Sequence, residues 1–287
     1  MSRRLLAALL ASLLLVAGFA SAAGAATQRI AALTPFTANT LSLLGVKPVA
    51  IGETLGGHDK FVNGLKGVER MTLAHPLGPN IEELALLNPQ LVLSAPVWAK
   101  GNAAMKEIGI RVAESDPQSV ADVPRQTEFI GQIVGKSAQA KKLANTQRER
   151  IKVAKSRARR HPTVLLVLGL GRSVQAFMPD SWGGDVITQA GGRLLTAGLP
   201  SLSEGFGKLS DEIIVERNPD IIIAVPHGTP SNIPKIAKYL ASNPAWKNTK
   251  AAKNRRIYIS TDNSLLQAWT SSAQSIADVQ TKYLKNR

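Results

Sequence analysis

The chain has 287 residues, no cysteine, 44% apolar residues and a formal net charge of +15. Without cysteine no disulfide framework can hold it, so stability must come from packed cores, which this apolar share can supply. The positive charge raises nucleic-acid binding as a class, but the basic residues spread over two segments, Lys136 to Arg160 and Lys235 to Arg256. They do not form the aromatic-lined basic groove of a single-strand binder, and no nucleic-acid partner is expected.

Arg3 and Arg4 precede an apolar stretch from Leu5 to about Ala20, followed by the small residues Ser21-Ala22-Ala23-Gly24-Ala25-Ala26. That is the layout of a cleavable secretory signal, with an apolar core too short for a comfortable membrane anchor. Residues 1–26 are read as the signal peptide, cleaved after Ala25 or Ala26. Removing Arg3 and Arg4 lowers the charge from +15 to +13. A lipid anchor would require a cysteine at the cleavage site, so the mature chain is expected to be soluble and to diffuse freely in the periplasm.

Beyond the signal, β-branched runs alternate with amphipathic helices. Residues 27–122 read as an N-terminal lobe, with strands at Arg29–Leu33, Val49–Ile51, Leu91–Leu93 and Arg111–Ala113. Helices are expected at Thr37–Leu44, Ile81–Leu87 and Asn102–Ile108, which gives the βαβ pattern of a parallel, helix-covered sheet. From Val123 to Arg160 the apolar spacing stays near helical, weakened locally by Gly131 and Gly135, until His161-Pro162 stops it. One helix over 123–160 would reach about 55 Å and act as a strut between two bodies. Residues 161–287 read as a C-terminal lobe, with strands at Val164–Leu168, Ser173–Phe177, Ile221–Val225 and Arg256–Ser260.

The lobes share an element. Glu82 opens a helix ending at Asn88-Pro89 before the strand Leu91-Val92-Leu93; Glu212 opens one ending at Asn218-Pro219 before Ile221-Ile222-Ile223. Each Asn-Pro stops its helix, and each glutamate sits where the helix dipole favours negative charge. A repeat on this scale indicates two lobes of related build.

These residues carry a family resemblance. The motifs are Thr34-Pro35 through Leu44-Gly45-Val46-Lys47-Pro48-Val49, Gly78-Pro79-Asn80-Ile81-Glu82 through Leu93, Gln189-Ala190-Gly191-Gly192, Leu209-Ser210-Asp211-Glu212 through Ile223, and Trp246 through Tyr258. In this order, behind a signal peptide, the chain resembles the periplasmic binding proteins of iron-siderophore, haem and cobalamin importers. The resemblance implies an α/β fold of two Rossmann-like lobes, each with a central sheet, joined by a single long linking helix. It also implies a monomer that captures a metal chelate, ferric siderophore first and haem or cobalamin next, and delivers it to the membrane subunits of an ABC importer. In the family, the glutamates of the repeated element meet arginines of those subunits, which assigns transporter docking to Glu82 and Glu212.

In such sheets ligands bind beyond the carboxyl ends of the strands. The loops there hold Phe36, Trp98, Phe177, Trp182 and Trp269, flat rings suited to a large, partly apolar ligand. Phe36, Trp98, Trp182 and Trp269 are taken as ligand-binding, and Trp246 as structural. Arg172, just after the first strand of the second lobe, suits a carboxylate or catecholate. Of the four histidines, His161 reads as surface and His75 is assigned no role. His58 and His227 lie in opposing loops as ligand-binding residues, and with Asp59 or Asp262 they make a bare transition-metal site the alternative. No resident metal or cofactor is expected. Tyr239, Tyr258 and Tyr283 fall away from the cleft loops, which disfavours a haem-type tyrosine ligand. Gly169-Leu170-Gly171 lacks the rest of a dinucleotide fingerprint, and no nucleophile elbow, phosphate loop or His-Glu-x-x-His motif occurs. The chain is therefore not expected to be an enzyme; a secreted α/β enzyme is the remote alternative.

Overall fold

The computed structural model describes residues 28–285 except 57, 160, 203 and 204; the expected signal peptide lies outside them. The first unit is built on β1 (Ile30–Ala32), β2 (Ala50–Glu53), β3 (Glu69–Thr72), β4 (Leu91–Ser94) and β5 (Arg111–Glu114). They form one sheet in the order β3-β2-β1-β4-β5, parallel throughout. The helices α1 (Pro35–Leu43), α2 (Ile81–Leu86) and α3 (Ala99–Glu107) connect them. The interior strand β4 is buried along its whole length and reads clearly as a strand. The edge strand β3 buries only Met71, and its polar sequence hides it from a hydrophobicity pattern.

The expected single helix over 123–160 is instead two. The helix α4 (Asp122–Ile133) stops at Val134, Gly135 turns the chain at φ +68°, and α5 (Ser137–Lys155) follows. A left-handed residue ends a helix cheaply only when it is glycine or asparagine. The two helices fold back on each other. A Cβ on Gly131 would lie 2.1 Å from that of Ala140, and Arg148 pairs with Glu128 at 2.9 Å. The helix that runs into the second unit is therefore the 19-residue α5, about 28 Å long. It is tied to α4 on one side and to the C-terminal helix on the other, where the Gln280 amide donates to Ala154 O at 3.0 Å.

The second unit contains β6 (Thr163–Leu170), β7 (Ser173–Phe177), α6 (Trp182–Gln189), β8 (Arg193–Leu194) and β9 (Phe206–Lys208). It continues through α7 (Asp211–Arg217), β10 (Ile221–Pro226), α8 (Ile233–Ala241), α9 (Lys250–Lys253) and β11 (Ile257–Ile259) to α10 (Ser272–Asp278). Its sheet runs β11-β10-β6-β7-β9, with β8 also on β6. The strands β6, β8, β10 and β11 are parallel, whereas β7 reverses at the two-residue turn Gly171-Arg172 and β9 reverses again. Two reversals leave β9 pointing the same way as β6.

The repeated element is present in both units. Asn80 accepts from the amides of Glu82 and Glu83 to cap α2, and Ser210 accepts from Ile213 N to cap α7. Each helix gives way to a left-handed asparagine, Asn88 at φ +45° and Asn218 at φ +47°, before its buried strand. Trp246 is fully buried and donates to Asp211, a structural role.

Candidate functional site

The units meet where the loop after β2 touches the segment after β11. His58 N donates to Thr261 O at 3.2 Å and Asn263 N donates to His58 O at 3.0 Å, a backbone bridge from one unit to the other. Asp59 is the hub beneath it. Its carboxylate accepts from Asn263 Nδ2 and Gln267 Nε2, both at 2.7 Å, and from Thr54 N at 3.2 Å. Burial pushes the Asp59 carboxyl up, and the hydrogen bonds from Asn263, Thr54 and Gln267 only partly offset that. Beside it, Lys60 Nζ lies 3.4 Å from Asp262, 3.5 Å from Asp278 and 5.5 Å from the centre of the Trp269 ring. Burial alone would raise Asp262, but hydrogen bonds from Ser264 and the charge of Lys60 together hold its carboxyl below the usual range.

Next to this seam the units diverge around an open cleft of about 520 Å³. The first unit lines it with Glu53, Thr54, Gly56, His58, Asp59, Phe61 and Arg70; the second lines it with Pro230, Ile233, Pro234 and Thr261. Arg70 stacks on Phe61, its guanidinium 4.4 Å from the ring centre, and pairs with Glu53 at 3.3 Å. An arginine held on an aromatic face offers a cation already oriented for an acidic ligand.

His227 and His75 lie in loops near this edge of the cleft, close enough to interact electrostatically. His227 follows β10, and its backbone N–H donates to Gly169 O at 2.9 Å, fixing the loop to the end of β6. Its Nδ1 is buried without a hydrogen-bond partner. Gly56 of the opposite unit comes so near that a Cβ there would lie 3.2 Å from Nδ1, and its φ of +120° also excludes a side chain. Burial lowers the His227 pKa, and the nearby charge of His75 lowers it further. His75 occupies the tight turn after β3 that the reciprocal bonds between Ala74 and Gly78, at 2.8 and 2.7 Å, close. Leu77 in the same turn is 57% exposed.

The structure places the expected site residues unequally. His58 lines the cleft and His227 abuts it. Phe36, Trp98 and Trp182 are corrected to core: each is buried, and the Trp182 indole donates to Ser264 O at 2.9 Å. Phe177 is core as well. Trp269 borders a separate cavity of about 90 Å³ against α1 and α5, outside the cleft. Arg172 is exposed in the β6–β7 turn and is not among the residues lining the cleft. The carboxylates of the bare-metal alternative are engaged elsewhere: Asp59 by Asn263 and Gln267, Asp262 by Ser264 and Lys60. Among the described residues no group of three or more His, Cys, Asp or Glu could hold an ion. Sequence reasoning missed Phe61, Arg70 and His75. The last two depend on recognising β3, since a loop that follows a parallel strand belongs to the cleft.

Glu82 and Glu212 are both exposed. The helices they open follow β3 and β9 in the chain; β9 runs the same way as β6 but antiparallel to its neighbour β7. A hydrogen bond from Ser210 keeps Glu212 below the ordinary range, and so charged.

Two α/β units meeting across a cleft at the carboxyl ends of their strands make the architecture of a solute-binding protein. The chain belongs to the periplasmic binding protein family, whose model matches residues 30–263. It is 27% identical over 191 residues to the high-affinity heme uptake system protein IsdE of Staphylococcus aureus (strain Newman), covering 65% of this chain. The chain spans 64% of the length of that curated relative. The crystal structure of S. aureus IsdE complexed with heme superposes with a TM-score of 0.74 at 23% identity, covering 90% of this chain and 99% of that one. The vitamin B12 binding protein BtuF of Vibrio cholerae superposes at 0.68 with 16% identity, covering 88% and 95%. Among the described residues no helix is long and apolar enough to cross a membrane.

Proposed function

We propose that this protein captures a metal chelate in the cleft between its units and hands it to the membrane subunits of an ABC importer, without catalysing a reaction. The observation that carries the reading is the cleft itself: about 520 Å³, walled by Phe61, Ile233 and two prolines, with Arg70 as an oriented cation. That size and mixture suit a chelate or macrocycle with apolar faces and an acidic edge. The relatives named for heme and vitamin B12 support the class of ligand. Those same names, rather than the cleft, put a macrocycle ahead of the ferric siderophore that the sequence suggested first. Glu82 and Glu212 are the docking charges, one from each unit, and a two-fold importer needs such a matched pair.

The test is a binding panel of haemin, cobalamin, ferric siderophores and free Fe³⁺, Mn²⁺ and Zn²⁺, read by thermal shift and native mass spectrometry. A metal chelate should bind and the free ions should not; stabilisation by a free ion alone would overturn the reading. Replacing Glu82 and Glu212 together by Lys should leave chelate affinity unchanged and abolish uptake.

A further inference from the structure

The helix α5 carries its charge on one side. Lys141, Arg148, Lys152 and Lys155 are exposed, and their spacing along the helix places all four within an arc of about 60°. The row they form is about 21 Å long. Glu149 is the one acid in α5, and it lies to the side of the row. Arg148 is tied to Glu128, but among the described residues no carboxylate pairs with Lys141, Lys152 or Lys155. The row ends beside a cavity. Past Lys155 the chain makes one more turn, with Arg157 N donating to Ala154 O and Ala158 N to Lys155 O. Arg157, Arg159 and Lys285 then border an opening of about 210 Å³ whose wall includes Ala158, Ala190 and Leu284. These three cations are exposed, and among the described residues none of them pairs with a carboxylate either. None of them lines the cleft.

We propose that this face, α5 with the cavity at its end, rests on a bilayer of anionic phospholipid. One lipid phosphate enters the cavity between Arg157, Arg159 and Lys285, and neighbouring headgroups meet the row of lysines. Arginine forks suit phosphate oxygens, and the apolar wall suits the body that carries the phosphate. A free phosphate satisfies the cavity and leaves the row unanswered. A nucleic-acid strand calls for aromatics between the cations, and α5 contains none. A straight row on a helix packed between α4 and α10 presents its charges to a plane. Each basic group near an anionic leaflet strengthens attachment, and salt screens it, so the contact is reversible. It keeps the carrier beside a membrane without an anchor, in place of the free diffusion expected from the sequence.

The experiment sediments the mature protein with vesicles of phosphatidylglycerol and phosphatidylcholine in equal parts, and with vesicles of phosphatidylcholine alone. The protein should bind the anionic vesicles only, and binding should fall steeply as salt is raised. Lys141→Gln, Lys152→Gln and Lys155→Gln combined should weaken binding about 100-fold, near fivefold for each cation. Arg157→Gln with Lys285→Gln should weaken it about 25-fold on the same scale. The comparison variant removes equal charge from the other basic segment, through Lys235→Gln, Lys238→Gln and Lys247→Gln, all exposed. It should change binding less than about threefold. Melting curves within about 2 °C of wild type confirm that each variant is folded. Equal losses in the two triple variants would reduce the effect to net charge and overturn the face. Equal binding to both kinds of vesicle, or to neither, would overturn the lipid. Saturation of the cavity by inorganic phosphate without any vesicle binding would leave only a small-anion site. Tighter binding to polyglutamate than to the anionic vesicles would hand the face to an acidic protein instead.

Discussion

The contact between the two units has two unlike parts formed by the same short loop. From Asp59 to Lys60 the loop is saturated: the Asp59 carboxylate meets Asn263, Gln267 and Thr54, and Lys60 meets two aspartates. Three residues earlier, at Gly56, the loop presses on an imidazole whose buried Nδ1 has no partner. A buried polar group that is satisfied holds its neighbours in place; one that is not is available to a ligand. The comparison teaches that the seam supplies the rigidity and the adjoining opening the recognition.

The largest expected effect tests the seam. Asp59→Ala takes the shared charged acceptor away from Asn263, Gln267 and Thr54, and its loss from such a cluster should cost about 3 kcal/mol. In a chain of this size that lowers the melting temperature by roughly 6–12 °C. A melting temperature within about a degree of wild type would show that the seam holds nothing.

A smaller effect separates the two arginines. Arg70→Ala should weaken a carboxylate-bearing chelate about tenfold, from the loss of one charge-assisted contact, and leave a neutral ligand unaffected. Arg172→Ala, in the exposed turn, should change affinity less than about twofold and stability by no more than about 0.5 kcal/mol. The reverse order in a titration would move the acidic end of the ligand from the first unit to the second.

The smallest effect is in the pH dependence of stability and belongs to the opening. The unfolded chain protonates His227 near its ordinary pKa of 6.5, while burial and His75 make the folded protein resist the proton. Protons therefore favour the unfolded state. The His227 contribution is complete above about pH 6.5 and is lost as pH falls below it. Asp59 acts in the opposite direction, because its raised carboxyl takes up a proton more readily when folded. The difference in melting temperature between wild type and His227→Gln, followed from pH 7.5 downward, isolates the histidine. A difference that does not change with pH would detach His227 from the buried setting described for it.

What the sequence disclosed and what it concealed follow one physical rule. Leu91–Leu93 and Ile221–Val225 read as strands because both of their faces are buried, and the twin Glu-to-Asn-Pro element is written in local capping chemistry. The strand Glu69–Thr72 shows the core a single residue, and with it went the turn that carries His75. The break between α4 and α5 escaped because apolar spacing continues across Gly135 while the backbone reverses. Phe36, Trp98 and Trp182 follow strands just as cleft residues do, and only the packing decided that their rings belong inside. The hub at Asp59 joins positions more than two hundred residues apart, beyond the reach of any local pattern.

The seam has a consequence for repeated use. Its members are hydroxyls, amides, carboxylates and an ammonium group, all of which water solvates about as readily as they solvate one another. Solvent can therefore replace any one of these bonds as it breaks, so the seam can open and re-form bond by bond while the apolar cluster beneath it, shared by both units and including Leu265, Ala268 and the partly buried Trp269, stays covered.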